Sequence, residues 1–492
     1  MTRALTVATA QGAVAGAVAD GVYSWLGLPF AAPPVGDLRW RAPQPPAPWD
    51  GVRDATAFAP AAIQTFTTPS DLRAPQSEDC LYLNIWTTNA DPDLKQPVML
   101  WIHGGGNLWG AGSLPQFDGA DLAREGVTVV TVNYRLGALG FLAHRDVGAN
   151  FAVLDWVAAL TWVEQNIAAF GGDPGNVTIF GQSAGAVAVR TLLSTPTAHG
   201  LFHRAIIQSA GFEHYAFAPT PSYERVSEAT EKLFDRIGTR DIDALRAAPI
   251  EEVRAASLEF SGIVPPPGQV HTPANLVWYP VDDGETVIQS AFQGWPEGVP
   301  VMFGCVQNEA RYFIKPTGEY SWETVENMAR TLGGENSDAI LADLSARGVT
   351  PYEALDEIFS AAIWFEPALA TSERFTAAGR AFRYYHFSRV SPGARASNAL
   401  VEHAAENNYV FGVLKPADYY DAADAEVSAE IQHGWAEFAR TGVPRSLDGT
   451  EWPQFDPADP LHARIDDETE IRQYEVGSVT ALIHAVRLAP VR

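Results

Sequence analysis

The stretch from about residue 97 to 210 constrains this chain most, because short β-branched apolar runs alternate there with segments of helical spacing. PVMLWIHG and VTVVTVNYR read as buried strands. Residues 155–170 place Leu160, Val163 and Ile167 on one helical face. VTIFG is again a strand, stopped by Gly181, residues 184–193 read as a helix, and AIIQS as a further strand. Strands that alternate with helices predict an α/β fold with a mostly parallel central sheet, covered by helices on both faces. From about 215 to 300 the pattern turns helical, with SYERVSEATEKLFDRIG the clearest piece. VPVMFGC returns to strand, 320–375 is again helical, AFRYYHFS is a late strand and 425–440 a late helix. The Pro-rich patches, including Pro265 to Pro267, read as surface connections, and no internal repeat stands out. The expected organisation is one domain over 1–492. Helical insertions at about 215–300 and 320–375 would form the walls and roof of a site.

One turn in this alternation carries chemistry. Gly181, Gln182, Ser183, Ala184 and Gly185 form a G-x-S-x-G pattern between a strand and a helix. A serine on so sharp a turn needs a strained backbone and glycine neighbours, and the following helix N-terminus points its amides at developing negative charge. Upstream, WIHGGGNLWGAG follows a strand. It lacks the lysine of a phosphate loop, so the glycines are read as an oxyanion loop, with the amides of Gly105, Gly106 and Ala184 as donors.

A serine nucleophile needs a base, and the base an acid. In a strand–serine–helix arrangement of this kind the chain order is serine, acid, histidine. Nine of the eleven histidines follow Ser183. His199 and His203 come too soon, His386 sits in a strand and His433 in a helix, whereas His403 lies in a polar loop before an apolar run. Glu309, four residues past VMFGC, is the expected acid, with Asp282 and Asp283 as rivals.

Composition narrows the partners. Apolar residues make up 47% and charged residues 19%, the balance of a globular chain. A formal charge of −26 repels phosphate backbones, so no nucleic acid is expected as partner. Two cysteines, Cys80 and Cys305, are too few for a disulfide framework or a four-cysteine zinc site. No signal peptide and no membrane span are read in the sequence, so a cytoplasmic protein, monomeric or weakly homo-oligomeric, is expected.

The residues also resemble a known family over nearly the whole chain. WLGLPFAAPPVGDLRW, SEDCLYLNIW, WIHGGG, NYRLGALGF, FGGDPGNVTIFGQSAGA, HRAIIQSAG, QNEARYF and WAEFARTGVP are similar to segments of the type-B carboxylesterases. That group includes bacterial para-nitrobenzyl esterases and cholinesterases, and it has the α/β-hydrolase fold. The resemblance implies a serine carboxylesterase acting on small-molecule esters, with the triad Ser183, Glu309 and His403, no metal and no cofactor. It also implies a structural ion pair between Glu78 and Arg135, and a buried Ser209 near the acid. Three positions depart from the family pattern: Gln182 replaces a glutamate before the nucleophile, Asn308 and Ala310 flank the acid, and Ala62 stands where the partner of Cys80 would be.

Other readings compete. The same machinery serves a carbamate or activated-amide hydrolase. Neuroligin-like adhesion proteins, which the chain also resembles, lack the nucleophile. A lipase would show a long amphipathic lid, and none is evident. Trp109, Phe212, Trp364 and Phe365 are the aromatic candidates for pocket walls, against a reading in which each is core. In the cholinesterases a tryptophan on the loop before the SEDCLYLN-like segment holds a quaternary ammonium. The corresponding stretch here, 63–79, has no tryptophan, only Phe66, and carries Arg73.

Overall fold

The middle strands are apolar on both faces, as burial between two helical layers requires. In a computed structural model of the chain, Thr128–Val132 and Val301–Val306 are buried at every position. The structure describes residues 5–64, 72–212, 222–263, 273–288, 297–316 and 318–488. Phe66 and Pro265 to Pro267 lie outside them.

Among the described residues the central sheet has eleven strands. They are β1 (Ala17–Ala19), β2 (Val22–Pro29), β3 (Tyr82–Thr87), β4 (Gln96–Ile102), β5 (Thr128–Val132) and β6 (Gly172–Gln182). The later ones are β7 (Arg204–Gln208), β8 (Val301–Val306), β9 (Phe382–Phe387), β10 (Leu461–Ile465) and β11 (Thr469–Gln473). Their order is β11-β10-β9-β8-β7-β6-β4-β5-β3-β2-β1. The run from β10 to β5 is parallel, and both flanks are antiparallel. A parallel neighbour requires a crossover. The crossovers carry α1 (Phe151–Asn166) before β6 and α2 (Ala184–Leu193) after it. α3 (Tyr223–Ile237) lies between β7 and β8. α4 (Pro351–Ser360), a π-helical turn over Ala361–Phe365 and α5 (Glu366–Ala377) lie between β8 and β9. These are the two stretches expected to be helical insertions. The long α6 (Ala422–Thr441) follows β9.

Local chemistry explains where the elements stop. The helix expected over 155–170 begins earlier, at Phe151, and tightens into a 3-10 turn over Ile167–Phe170, ended by Gly171 at φ 84°. The late helix starts at Ala422, because Asp421 and Asp424 cap it reciprocally. Among the described residues, no helix is long and apolar enough to cross a membrane.

The expected pair between Glu78 and Arg135 is not formed. Glu78 takes a two-pronged contact from Arg39, with Nε–Oε1 and Nη2–Oε2 both 2.7 Å. Arg135 turns to Asp155 on α1, with Nε–Oδ2 2.9 Å and Nη2–Oδ1 2.7 Å. It also donates to the carbonyls of Arg41 and Phe151. Asp155 is fully buried and needs a bidentate cation, and its claim leaves Glu78 to the second arginine.

Cys80 and Cys305 are both buried and free, and burial pushes both thiols well above their usual range. Ala62 pairs with Ser77 beside Cys80 and offers it no sulfur. Titration of the denatured, unreduced protein is therefore expected to count two thiols. A count of none, with an intramolecular bridge found by mass spectrometry, would contradict this strand placement.

Candidate active site

The site is built on the turn where β6 meets α2. Ser183 sits at φ 57°, ψ −125°, a strained conformation for a residue with a side chain. Its N–H donates to Gln208 O on β7 at 2.9 Å, which fixes the turn against the neighbouring strand. The flanking glycines are sterically required. A Cβ on Gly185 would stand 2.0 Å from Ile102 O, and one on Gly181 would stand 2.5 Å from the Gly185 carbonyl carbon.

The glycine loop after β4 lies beside this turn. Gly105 and Gly106 have φ 111° and 61°, so the chain bends where only glycine does so without strain. Tyr134 Oη donates to His103 O at 2.8 Å, and the two rings stack at 4.4 Å. Asn107 Nδ2 donates to Trp278 O at 3.1 Å, and Gln64 Nε2 to Gly110 O at 2.7 Å. Burial pulls the His103 imidazole down to about 4, so it is a neutral packing group. Among the described residues, no protein acceptor takes the N–H of Gly105, Gly106 or Ala184. Three backbone donors near the serine are thus left for a ligand.

Glu309 follows β8 and is fully buried. Its Oε1 accepts from Val306 N at 3.0 Å, and its Oε2 meets His403 Nδ1 at 2.5 Å. The segment is fastened to α4. Asn308 Nδ2 and Arg311 Nε both donate to Asp356 Oδ2, at 3.0 and 2.6 Å, and Ala310 N donates to Ser360 Oγ at 3.1 Å. An amide at 308 suits this bond, because a carboxylate there would face Asp356. The rival acid Asp283 accepts from Asn150 Nδ2 and from the amides of Glu285, Thr286 and Val287, so it holds a turn. Its neighbour Asp282 accepts from Gly284 N.

The Nε2 of His403 lies 3.1 Å from the side-chain nitrogen of Gln182. Among the described residues, no hydrogen bond joins Ser183 Oγ to that nitrogen. Ser183 and His403 nevertheless line one cleft, together with Gly106, Ala184, Phe212 and Trp364. Trp109 and Phe365 are not part of that lining. The Trp109 ring packs behind the loop, where a Cβ on Gly106 would meet it at 3.5 Å. Phe365 faces the His386 ring at 6.0 Å and lines a different cavity. Trp364 thus lines the cleft, whereas its neighbour Phe365 is turned to the cavity beside His386.

Residues 3–480 match the sequence profile of the Carboxylesterase family. The chain belongs to the carboxylesterase family. It is 35% identical to the phenmedipham hydrolase of Pseudarthrobacter oxydans, over 94% of each chain. It is 34% identical to the para-nitrobenzyl esterase of Bacillus subtilis, over 91% of this chain and 92% of that one. A solved structure of a PNB esterase, 31% identical, superposes with a TM-score of 0.81 over 95% of this chain and 97% of the other. The fold is that of the α/β-hydrolases, and the activity is that of a carboxylic ester hydrolase acting on small-molecule esters.

Two buried groups lie beside the carboxylesterase site. Ser209 is fully buried at φ 57° and lines the cleft, and its carbonyl accepts from Trp364 Nε1 at 2.9 Å. Glu406 escapes sequence reasoning. It is fully buried, and its Oε1 accepts from Gln208 Nε2 at 3.1 Å and Tyr385 Oη at 3.2 Å. Burial, and then the charge of Glu309, push its carboxyl up to about 8, so it is mostly protonated at neutral pH. The available signal was an acid three residues past the histidine, one helical turn away, entering an apolar run.

Proposed function

We propose that Ser183 is the nucleophile, His403 the base and Glu309 the acid of this esterase, with Gly105, Gly106 and Ala184 as oxyanion donors. The 2.5 Å contact between Glu309 Oε2 and His403 Nδ1, in the cleft that holds Ser183, carries this reading. Glu309 accepts a hydrogen bond from Nδ1–H and so leaves Nε2 with its lone pair. Nε2 takes the hydroxyl proton as Ser183 Oγ attacks the ester carbonyl, and the three amides hold the resulting oxyanion. The proton passes to the departing alcohol, water repeats the sequence on the acyl-enzyme, and the acid leaves. Glu309 stabilises the imidazolium at both stages.

Glu309→Gln is expected to lower kcat by roughly 10⁴-fold, because a neutral amide neither stabilises the imidazolium nor selects its tautomer. Asp283→Asn should keep turnover within a few-fold, since Asp283 only braces a loop. Steady-state assays of both variants on a para-nitrophenyl ester test the assignment. The reverse ranking transfers the acid role to Asp283.

The cleft is proposed to prefer uncharged alcohols over choline. A desolvated cation–π contact contributes on the order of 2 kcal/mol, or roughly 30-fold in affinity, and residues 63–79 supply no tryptophan for one. Gln182, next to the nucleophile, is neutral. Arg73 is directed to Asp118 at 3.3 Å and adds no attraction for a cation. Specificity constants for butyrylcholine and a neutral butyrate ester with an equally good leaving group should favour the neutral ester. Preference for choline would refute this view of the pocket. Two free, buried thiols suit a reducing compartment, which supports a cytoplasmic setting.

A further inference from the structure

We propose that Gln182 is a positioning residue for the base: its side-chain amide occupies the proton-accepting nitrogen of His403 in the resting enzyme and keeps the imidazole neutral, which extends turnover toward acid pH. The proposal rests on the triad reading above. Glu309 accepts a hydrogen bond from Nδ1–H, so the proton of the neutral ring sits on Nδ1, and Nε2 carries a lone pair and can only accept. The Gln182 side-chain nitrogen, 3.1 Å away, donates to it. A hydrogen bond given to the neutral form of a base disfavours its charged form.

Gln182 is held in this position. It is 3% exposed and is the last residue of β6, in register with Gln208 on β7. Its amide oxygen lies against the oxyanion loop, where a Cβ on Gly104 would stand 3.3 Å from Oε1 and 2.6 Å from the Gln182 carbonyl oxygen. The amide is thus wedged between loop and base. It yields Nε2 to the Ser183 hydroxyl when a substrate is attacked, and the serine proton then moves to that nitrogen.

The other groups around His403 are carboxylates, which act in the opposite sense, aromatic rings, and the cation Arg190, which acts in the same sense. Glu309 touches Nδ1, and Glu402 adjoins the base in sequence, with its own Oε2 3.8 Å from Lys315 Nζ. Glu406 lies behind Glu309, bonded to Gln208 and Tyr385. Arg190 lines the same cleft. The rings of Trp364, Phe313 and Tyr312 pack on the imidazole at 5.3, 5.5 and 6.1 Å. Two carboxylates therefore favour the imidazolium. Among the described residues, the polar side chain bonded to Nε2 is the uncharged donor Gln182.

The test compares the pH dependence of kcat/KM for a neutral para-nitrophenyl ester in the parent, Gln182→Met and Gln182→Glu proteins. Methionine keeps the length and loses the donor. Glutamate can only accept, and so favours the charged ring. The acid limb of Gln182→Glu should move to higher pH by about 1–3 units, read from the midpoint of the limb and not from the height of the plateau. Gln182→Met should move it the same way by less than about one unit. Limbs that superpose on the parent, or move to lower pH, overturn the proposal. If thermal unfolding shows that Gln182→Glu does not fold, the Gln182→Met limb decides in the same way. This failure is distinct from failure of the triad, because Ser183→Ala can be inactive while the limbs stay in place.

Discussion

Ser183→Ala is expected to lower ester turnover by roughly 10⁶-fold, the scale of losing a hydrolase nucleophile. The melting temperature should stay close to that of the parent. The substitution removes one oxygen, and among the described residues that oxygen makes no hydrogen bond. The turn is fixed instead by Ser183 N on Gln208 O and by the contacts of Gly181 and Gly185. Alanine takes on the same φ of 57° that serine already bears, so the backbone strain is unchanged. Steady-state assays and a thermal melt measured side by side check both halves. A folded variant with near-parent turnover would remove the basis of the whole site.

His403→Ala is expected to cost about as much, again roughly 10⁶-fold, because nucleophile and base act as a unit and losing either disables the step. The variant also leaves the buried Glu309 carboxylate without the Nδ1–H donor it accepts from, so some loss of stability should accompany the loss of rate. His433→Ala serves as control. Its ring lies 3.5 Å from Glu125 Oε2, on α6 and away from the cleft, so turnover should stay within a few-fold of the parent. The opposite ranking of the two variants would move the base.

The parts of this protein legible in the sequence are those set by local rules. β5 and β8 show as β-branched and apolar runs because both their faces are buried. The turn at Ser183 shows because sterics demand glycine on each side of it. The meeting of Glu309 and His403 is less legible. They are 94 residues apart, and chain order, the loops they sit in and the family resemblance marked them without fixing the 2.5 Å contact. What stayed hidden was the choice of partner inside the fold. Arg135 had two carboxylates within reach of its region and took Asp155, which is fully buried on α1, leaving Glu78 to Arg39. Nothing in the spacing of these four residues encodes that outcome. Trp364 and Phe365 are adjacent in sequence and alike in chemistry, yet the phase of a π-helical turn puts one on the cleft and the other against His386. The amide of Gln182 was visible as a departure from the family pattern. Its contact with His403 was not, since it depends on how β6 is set against the loop after Leu400.

The central claim is that Ser183 becomes covalently acylated, and the most direct measurement of it is covalent capture. The protein is treated with a para-nitrophenyl alkylphosphonate, which phosphonylates an activated serine, and is then digested and mapped by mass spectrometry. One adduct per chain is predicted, on the peptide that carries Gly181 to Gly185, with parallel loss of esterase activity. The adduct should be absent from Ser183→Ala and slow to form in His403→Ala. An adduct on a different residue that tracks the loss of activity, or full inhibition with Ser183 unmodified, would contradict the account.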